Sequence, residues 1–108
     1  MSDHDAANNQ GKTHFMLWST PLRTTFRLDM TVEERSVMLE HIAYWTEKQN
    51  QGIVLVFGPV LKPEDPHGLA VIEVEQADQV PQLIAADPAV IAGLMTTACY
   101  PMMATLPK

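Results

Sequence analysis

The sequence contains a single cysteine, Cys99, among its 108 residues. No intrachain disulfide can form, and such sparse cysteine is typical of a reducing compartment, so we expect a cytoplasmic protein. Cys99 lies in an apolar, strand-like stretch without an activating histidine or helix start beside it, which favours a small buried residue over a nucleophile. Long hydrophobic runs are also missing, both the apolar segment of a signal peptide and the roughly 20 residues that cross a membrane.

Basic residues are few, with 7 Lys plus Arg against 13 Asp plus Glu and a formal net charge of -6. Such a chain repels a phosphate backbone, so we do not expect nucleic acid as a partner. The sequence has no phosphate-binding glycine loop, dinucleotide fingerprint, Cys-x-x-Cys pair or His-Glu-x-x-His motif, and we therefore expect no cofactor and no metal. Asp3, His4 and Asp5 lie in the polar segment Met1–Lys12, which we predict to be a disordered tail and a poor metal site.

The remaining residues, 13–108, fit one domain with a single hydrophobic core. Short apolar runs rich in branched or aromatic residues predict strands, and apolar residues spaced by three and four predict helices. The order is strand, helix, strand, strand, helix, strand, which is the ferredoxin-like α+β arrangement with an antiparallel four-stranded sheet. The predicted elements are strands at His14–Ser19, Ile53–Phe57, Leu69–Val74 and within Thr97–Leu106, helices from Thr31 to about Asn50 and from Asp78 to Ala86, a short helical turn from Pro88 to about Leu94, a loop at Pro21–Met30 and an exposed turn at Lys62–Gly68.

The first helix has the clearest local signals. Thr31 and Glu34 have the spacing of a capping box, and Gly52 supplies the left-handed residue that commonly ends a helix. At about 100° per residue, His41 falls beside the apolar stripe and not at its centre. The stripe that we predict to pack on the sheet consists of Met38, Leu39, Ile42 and Trp45.

The predicted strands carry more apolar residues than two helices can cover. Two helices shield one face of a four-stranded sheet, so the other face needs a partner, and we predict a homodimer that packs sheet against sheet. Pro101 cannot donate a ladder hydrogen bond, so the last strand should lie at an edge or carry a bulge. The residues expected on the shared face include part of Ile53–Phe57, the strand Leu69–Val74, Met102 and Met103.

His41 and Asp87 are the candidate catalytic residues. An imidazole that changes charge near neutral pH and a carboxylate that orients it are the minimum needed for proton transfer. The position of His41 suits a side chain lining a cleft between helix and sheet, and it equally suits a boundary histidine at the surface. Asp87 precedes Pro88, a pattern typical of a helix N-cap, and Asn in its place should keep much of that cap. One carboxylate oxygen can cap the helix while the other orients an imidazole.

Arg23, Phe26 and Arg27 are candidate substrate-binding residues because they follow the first strand, at the mouth of any cleft between helix and sheet. An arginine there can bind a carboxylate or phenolate through two hydrogen bonds. The alternative for each arginine is a solvated loop charge.

The other aromatic and histidine side chains have simpler expectations. Trp18 and Trp45 should form core or pocket wall, and Trp45 is also a candidate substrate-binding residue. His67 follows Pro66 in the predicted turn and should be exposed to solvent. His14 begins the first strand and has no partner that the sequence identifies.

An ordered set of short motifs resembles the YCII-related (YciI-like) family, in the same order and spacing from about Phe15 to the C-terminus. The set consists of Met30-Thr31 before a helix with His41-Ile42-Ala43-Tyr44-Trp45, then Gly52, Val56-Phe57-Gly58-Pro59-Val60, Asp87-Pro88-Ala89-Val90 with Gly93, and Pro101-Met102. The resemblance implies a dimeric α+β barrel of ferredoxin-like protomers, with an active site that pairs a helical histidine with the aspartate of an Asp-Pro step. These roles fall on His41 and Asp87.

Together these features predict a cofactor-independent enzyme. His41 would act as general base on an unknown small apolar or aromatic molecule, and Asp87 would hold its ring, which fits a lyase or isomerase step. The alternative is a dimeric small-molecule-binding or accessory module without turnover, since no second acid completes the pair.

Overall fold

The computed structural model describes residues 11–107, which form an α+β fold. Four strands make one antiparallel sheet in the order β2-β3-β1-β4, and it is not closed into a barrel. The ferredoxin-like prediction is confirmed. The elements are β1 (Thr13–Pro21), α1 (Phe26–Asp29), α2 (Val32–Asn50), β2 (Val54–Val60), β3 (His67–Val74), a 3₁₀ turn (Ala77–Gln79), α3 (Val80–Ala85), α4 (Pro88–Ile91) and β4 (Met95–Met102).

The predicted tail, Met1–Lys12, lies outside the described residues except for Gly11 and Lys12, and so does its cluster of Asp3, His4 and Asp5. The Lys12 ammonium group lies 3.7 Å from a Glu73 carboxylate oxygen. Within residues 11–107 no helix is long and apolar enough to cross a membrane. A cytoplasmic location stays a prediction that rests on the single cysteine.

Helix α2 begins at the predicted capping box. The Glu34 amide donates to the Thr31 hydroxyl at 3.0 Å, and the Thr31 amide donates to a Glu34 carboxylate oxygen at 2.9 Å. Two backbone donors that the helix leaves without partners are thereby satisfied. The chain then leaves the helix through Gly52 at φ +83°, a left-handed conformation that favours glycine.

The predicted buried stripe of α2 is wrong by about one residue position. Leu39 and Ile42 are 64% and 49% exposed, whereas His41 and Tyr44 are partly buried. The Tyr44 hydroxyl donates to the Leu83 carbonyl at 2.7 Å, and His41 is also hydrogen-bonded. Both polar side chains can therefore be partly buried while they keep a hydrogen-bond partner. The face toward the sheet therefore consists of Val37, Met38, His41, Tyr44 and Trp45.

The segment between β1 and α2 is more ordered than the predicted loop. Strand β1 continues to Pro21, and a helical turn, α1, follows with Phe26 only 4% exposed. Asp29, the last residue of this turn, binds the segment that precedes it, because its carboxylate accepts from the Thr25 hydroxyl at 2.7 Å and from Arg23 Nε at 2.8 Å. The sequence shows no capping pattern here, and tertiary contacts hold the turn.

Strand β4 lies at an edge of the sheet, as Pro101 predicts. Pro101 faces Phe15 of β1, and the opposite side of β4 has no neighbouring strand among the described residues. The prediction that Cys99 is buried is wrong, since its side chain is exposed. An edge strand keeps one flank open to solvent, so an apolar sequence there does not ensure burial.

Alternation along the strands separates an inner face that packs on the helices from an outer face. Inner residues such as Phe15, Leu17, Ala70 and Ile72 belong to the core that contains Trp45. Residues of opposite parity form a second apolar surface, which we call the outer sheet face. Its apolar residues are Met16, Trp18, Val56, Leu69, Val71, Ala98, Tyr100 and Met102, and the His14–Glu73 pair lies on the same face.

Two histidines are better enclosed than the sequence predicts. His67 is 7% exposed, its ring stacks on Trp18 with centroids 3.5 Å apart, and its Nδ1 lies 2.8 Å from the Asp65 carbonyl oxygen. His14 Nε2 lies 2.9 Å from a Glu73 carboxylate oxygen across the β1–β3 pair. Both expectations were wrong because the partners come from strand pairing, which is not visible in the local sequence.

Candidate functional site

A cavity of about 300 Å³ lies between α1, α2 and the inner face of the sheet. Its walls are mostly apolar, and Phe26 and Met38 line it beside Leu17 and Phe57 of the sheet. Ile42 also lines it, so this half-exposed residue contacts the cavity and not the core. Small-molecule sites are typically concave and apolar with a few well-placed polar groups.

His41 is a polar residue of the cavity wall, and its side chain is 16% exposed. Its Nδ1 lies 2.8 Å from Asp87 Oδ1 and 2.9 Å from Asp87 Oδ2. The structure thus brings together the two candidate catalytic residues, which are 46 positions apart in the chain. Helix α2 supplies the imidazole, and the start of α4 supplies the carboxylate.

Asp87 is 1% exposed, yet its carboxylate has partners on both oxygens. Oδ1 accepts the Ala89 amide at 2.9 Å as the predicted N-cap of α4, and Oδ2 accepts Trp45 Nε1 at 2.8 Å. Burial opposes ionisation of this carboxyl, but hydrogen bonds from His41 and Trp45 outweigh it and hold the pKa of Asp87 below its usual value. The group is therefore a carboxylate near neutral pH.

The ionised carboxylate determines the tautomer of His41. A carboxylate only accepts hydrogen bonds, so the proton of the neutral ring must lie on Nδ1 and the lone pair on Nε2. Nε2 has no hydrogen-bond partner among residues 11–107. The ring is thus held at one edge, and the other edge is left with a basic nitrogen.

Trp45 has a role that the sequence did not reveal. It is 4% exposed, lines the cavity, and donates its indole N–H to Asp87. Because His41 and Trp45 are four residues apart on one helix, they share a face and reach the same carboxylate. A buried indole N–H needs an acceptor, and this requirement was the one signal that pointed to such a contact.

Arg23 and Arg27 are placed differently. The Arg23 guanidinium donates to both Glu34 oxygens, at 2.8 and 3.0 Å, and to Asp29 at 2.8 Å, which raises the Arg23 pKa. Hydrogen bonds from Arg23 and the Thr31 amide lower the pKa of Glu34 to about 2. Phe26, Arg27 and Trp45 line the cavity, whereas Arg23 does not. Arg23 therefore holds α1 to the start of α2, and the structure does not bring it to the candidate site.

No group of three His, Cys, Asp or Glu side chains within residues 11–107 is placed to hold a metal ion. The pair of His41 and Asp87 alone offers too few ligands for a tetrahedral site.

Solved structures with a similar fold include two enzymes. A dehydrochlorinase of Burkholderia phenoliruptrix that acts on 5-chloro-2-hydroxyhydroquinone, solved with 2,5-dihydroxybenzoquinone, superposes with a TM-score of 0.63 at 19% identity, over 81% of this chain and 90% of that chain. SnoaB, a cofactor-independent oxygenase from Streptomyces nogalater, gives a TM-score of 0.48 at 16% identity, over 91% and 99% of the two chains. The first of these likenesses shows the shared α+β fold.

The chain belongs to the YCII-related domain family, whose sequence profile matches residues 13–102. The resemblance noted in the sequence is confirmed. A comparison with functionally curated proteins finds no match.

Trp45→Phe should destabilise the protein at neutral pH and make its free energy of unfolding depend less on pH in the acid range. The variant keeps an aromatic ring but removes a hydrogen bond to a buried carboxylate, which should lower the free energy of unfolding at neutral pH by at least about 1.5 kcal/mol. A depressed carboxyl pKa stabilises the fold above its unfolded value of about 3.9, and this contribution disappears as pH falls through the folded pKa. Because Trp45→Phe raises the folded pKa of Asp87 toward its unfolded value, the variant should lose less of this stability in acid, and the two stability curves should converge as pH falls. Urea denaturation from neutral to acidic pH measures this, and parallel curves for variant and wild type would contradict it.

Proposed function

We propose that this protein is a cofactor-independent enzyme in which His41 is the general base for a small apolar or aromatic molecule bound in the cavity. The observation that carries the proposal is the contact of His41 Nδ1 with both oxygens of Asp87, at 2.8 and 2.9 Å. It leaves Nε2 as the basic atom on the free edge of a ring that lines the cavity. A base needs this combination of fixed orientation and an available lone pair.

The chemistry follows from the charges of the pair. Nε2 takes a proton from a hydroxyl group or from a carbon next to a carbonyl, and the electron pair left behind forms an oxyanion or enolate. Asp87 stabilises the resulting imidazolium without accepting its proton, because the carboxylate pKa is depressed. Return of the proton to another atom completes an isomerisation. In an elimination, the enolate instead expels a leaving group as an anion. The imidazolium of His41 then releases the proton, so the products include the leaving group as its acid.

The similar dehydrochlorinase structure guides the choice of test compounds. Its fold matches over most of both chains, and it was solved with a hydroxylated quinone. We therefore select hydroxylated quinones and phenols as the first compounds to test, with lactones as a second set.

Deuterium uptake tests the proposal before the full reaction is known. A general base at His41 should catalyse exchange of an acidic C–H for deuterium in heavy water for at least one member of the panel, detected by mass spectrometry. His41→Asn should abolish this exchange, and Glu40→Gln, an exposed neighbour on α2, should not. Exchange that persists in His41→Asn would refute the assignment of the base.

A non-catalytic binding module is the second candidate. The observation that favours it is that no Asp or Glu within residues 11–107 lines the cavity, so this part of the chain supplies no carboxylic acid there to complete an acid–base pair with His41. Saturable binding of a panel member with neither exchange nor conversion would select this alternative.

We also propose that two copies of the chain pack through their outer sheet faces. All four strands contribute apolar residues to this face, and Val56 and Tyr100 are 54% and 52% exposed on it. Among residues 11–107 no helix covers it, whereas α2 and α3 cover the inner face. An apolar surface of this extent is typical of a protein–protein interface.

Val56→Lys should convert the dimer to a monomer. It places a charge on the outer sheet face at a position that is exposed in the single chain, so the protomer itself should still fold. Leu39→Lys is the matched control, because Leu39 is 64% exposed on α2, away from that face. Sedimentation should show wild type and Leu39→Lys as dimers and Val56→Lys as a monomer. A monomeric wild type near 12.0 kDa would contradict the proposal.

A further inference from the structure

The charges around the cavity differ from those of the chain as a whole. The chain has 13 Asp plus Glu against 7 Lys plus Arg, yet among residues 11–107 the cavity lining includes no acidic residue and does include Arg27 and His41. The Asp87 carboxylate lies behind the His41 ring and is already bonded on both oxygens. A ligand entering the cavity therefore meets an apolar wall whose ionisable groups are all basic.

We propose that the ligand is a small aromatic or apolar anion and that Arg27 binds its negative group where the cavity opens to solvent. The inference rests on the proposed function, since it names the substrate class of the same site. Arg27 is exposed and lines the cavity, so this residue lies where the cavity meets solvent.

The contrast with Arg23 identifies which arginine is available. Arg23 is neutralised by Glu34 and Asp29, and its guanidinium lies 5.1 Å from the centroid of the Phe26 ring. Arg27 has no hydrogen bond or ion pair among residues 11–107. A guanidinium without a protein carboxylate can bind a ligand carboxylate or phenolate, with two parallel hydrogen bonds to a carboxylate.

Helix α1 holds the backbone of Arg27 in place. Phe26, the preceding residue, is 4% exposed and lines the cavity, so it anchors the turn from inside. The Asp29 contacts with Arg23 and Thr25 hold the same turn from outside. The backbone of Arg27 is therefore braced, while its side chain can adapt to the ligand.

The apolar cavity also determines how such a ligand lies. A charge buried among apolar side chains is costly, so the anionic group should stay at the opening beside Arg27. The ring then occupies the interior, where His41 Nε2 reaches its edge. Arg27 thus orients the molecule and attracts it to an otherwise acidic protein.

Benzoate and benzamide are the probes that test this inference, because they have nearly the same shape and differ in charge. Binding is measured by NMR titration, at a pH where free histidine is neutral. We expect wild type to bind benzoate at least about tenfold more tightly than benzamide, the difference that a hydrogen-bonded charge pair supplies. Arg27→Gln should remove the preference by weakening benzoate alone, and Arg27→Lys should keep part of it.

Arg35→Gln is the matched control, since it makes the same change in net charge at an exposed position of α2 that does not line the cavity. It should leave the affinities for both probes unchanged. Equal affinity of wild type for the two probes, no binding of either, or equal effects of Arg27→Gln and Arg35→Gln would overturn the inference. These results concern binding only, whereas failure of the proposed function would appear as absence of His41-dependent exchange, so the two failures are distinguishable.

Discussion

His41→Asn should reduce turnover of any substrate found in the exchange screen by about 100-fold to 10,000-fold, the usual effect of removing a general base. The asparagine amide nitrogen can lie near the position of Nδ1 and donate to Asp87, so the buried carboxylate keeps a partner. The variant lacks any equivalent of Nε2. We therefore expect kcat to fall while the melting temperature stays close to that of wild type.

The measurement pairs steady-state kinetics with thermal unfolding of the same samples. Glu40→Gln is the control, because it alters an exposed side chain adjacent to His41 and outside the cavity lining. If the activity of His41→Asn fell only as much as its folded fraction, His41 would have a structural role. Full activity in a folded His41→Asn protein would remove it from the mechanism.

Asp87→Ala should be strongly destabilising, lowering the free energy of unfolding by about 3 to 5 kcal/mol. The change removes the α4 cap and leaves the His41 and Trp45 ring N–H groups without their acceptor. Each buried donor without a partner costs about 1 to 3 kcal/mol. Activity should fall as well, because nothing then fixes the His41 tautomer.

Asp87→Asn separates the contribution of the α4 N-cap from that of the Asp87 contacts with His41 and Trp45. Considered as an N-cap alone, asparagine should be nearly as good as aspartate. In the structure, however, both oxygens accept from donors, so an amide NH₂ must face either Trp45 Nε1 or the Ala89 amide. We expect a loss of about 1 to 3 kcal/mol, between wild type and Asp87→Ala.

Urea denaturation at neutral pH measures both Asp87 variants against Asp78→Asn, which removes an exposed carboxylate from the 3₁₀ turn. Asp78→Asn should be close to wild type. If Asp87→Asn were equally close, the Trp45 and His41 contacts would contribute nothing beyond the cap.

The local signals of the sequence were sufficient for the order of elements. The Thr31–Glu34 capping box, the exit at Gly52 and the edge position of Pro101 all depend on neighbouring residues or on backbone chemistry, and all three are confirmed. The Asp-Pro step also predicted the cap of α4, which the Ala89 amide completes.

The face of α2 could not be found in the same way. Periodicity counts apolar side chains, and it therefore selected Leu39 and Ile42, which are exposed, over His41 and Tyr44. Those two polar residues face the sheet because partners from α3 and α4 satisfy them, and such partners appear only when the chain is folded. The stacking of His67 on Trp18 and the pairing of Arg23 with Glu34 were missed for the same reason.

The central claim is that Asp87 holds His41 with its proton on Nδ1 and its lone pair on Nε2, facing a ligand. Nitrogen NMR of the His41 ring tests it most directly, because protonated and unprotonated ring nitrogens have well-separated chemical shifts. In the neutral ring we predict a protonated Nδ1 and an unprotonated Nε2, whose signal shifts when benzoate fills the cavity. A proton on Nε2, or an Nε2 signal that is unchanged by a ligand bound in the cavity, would contradict the account.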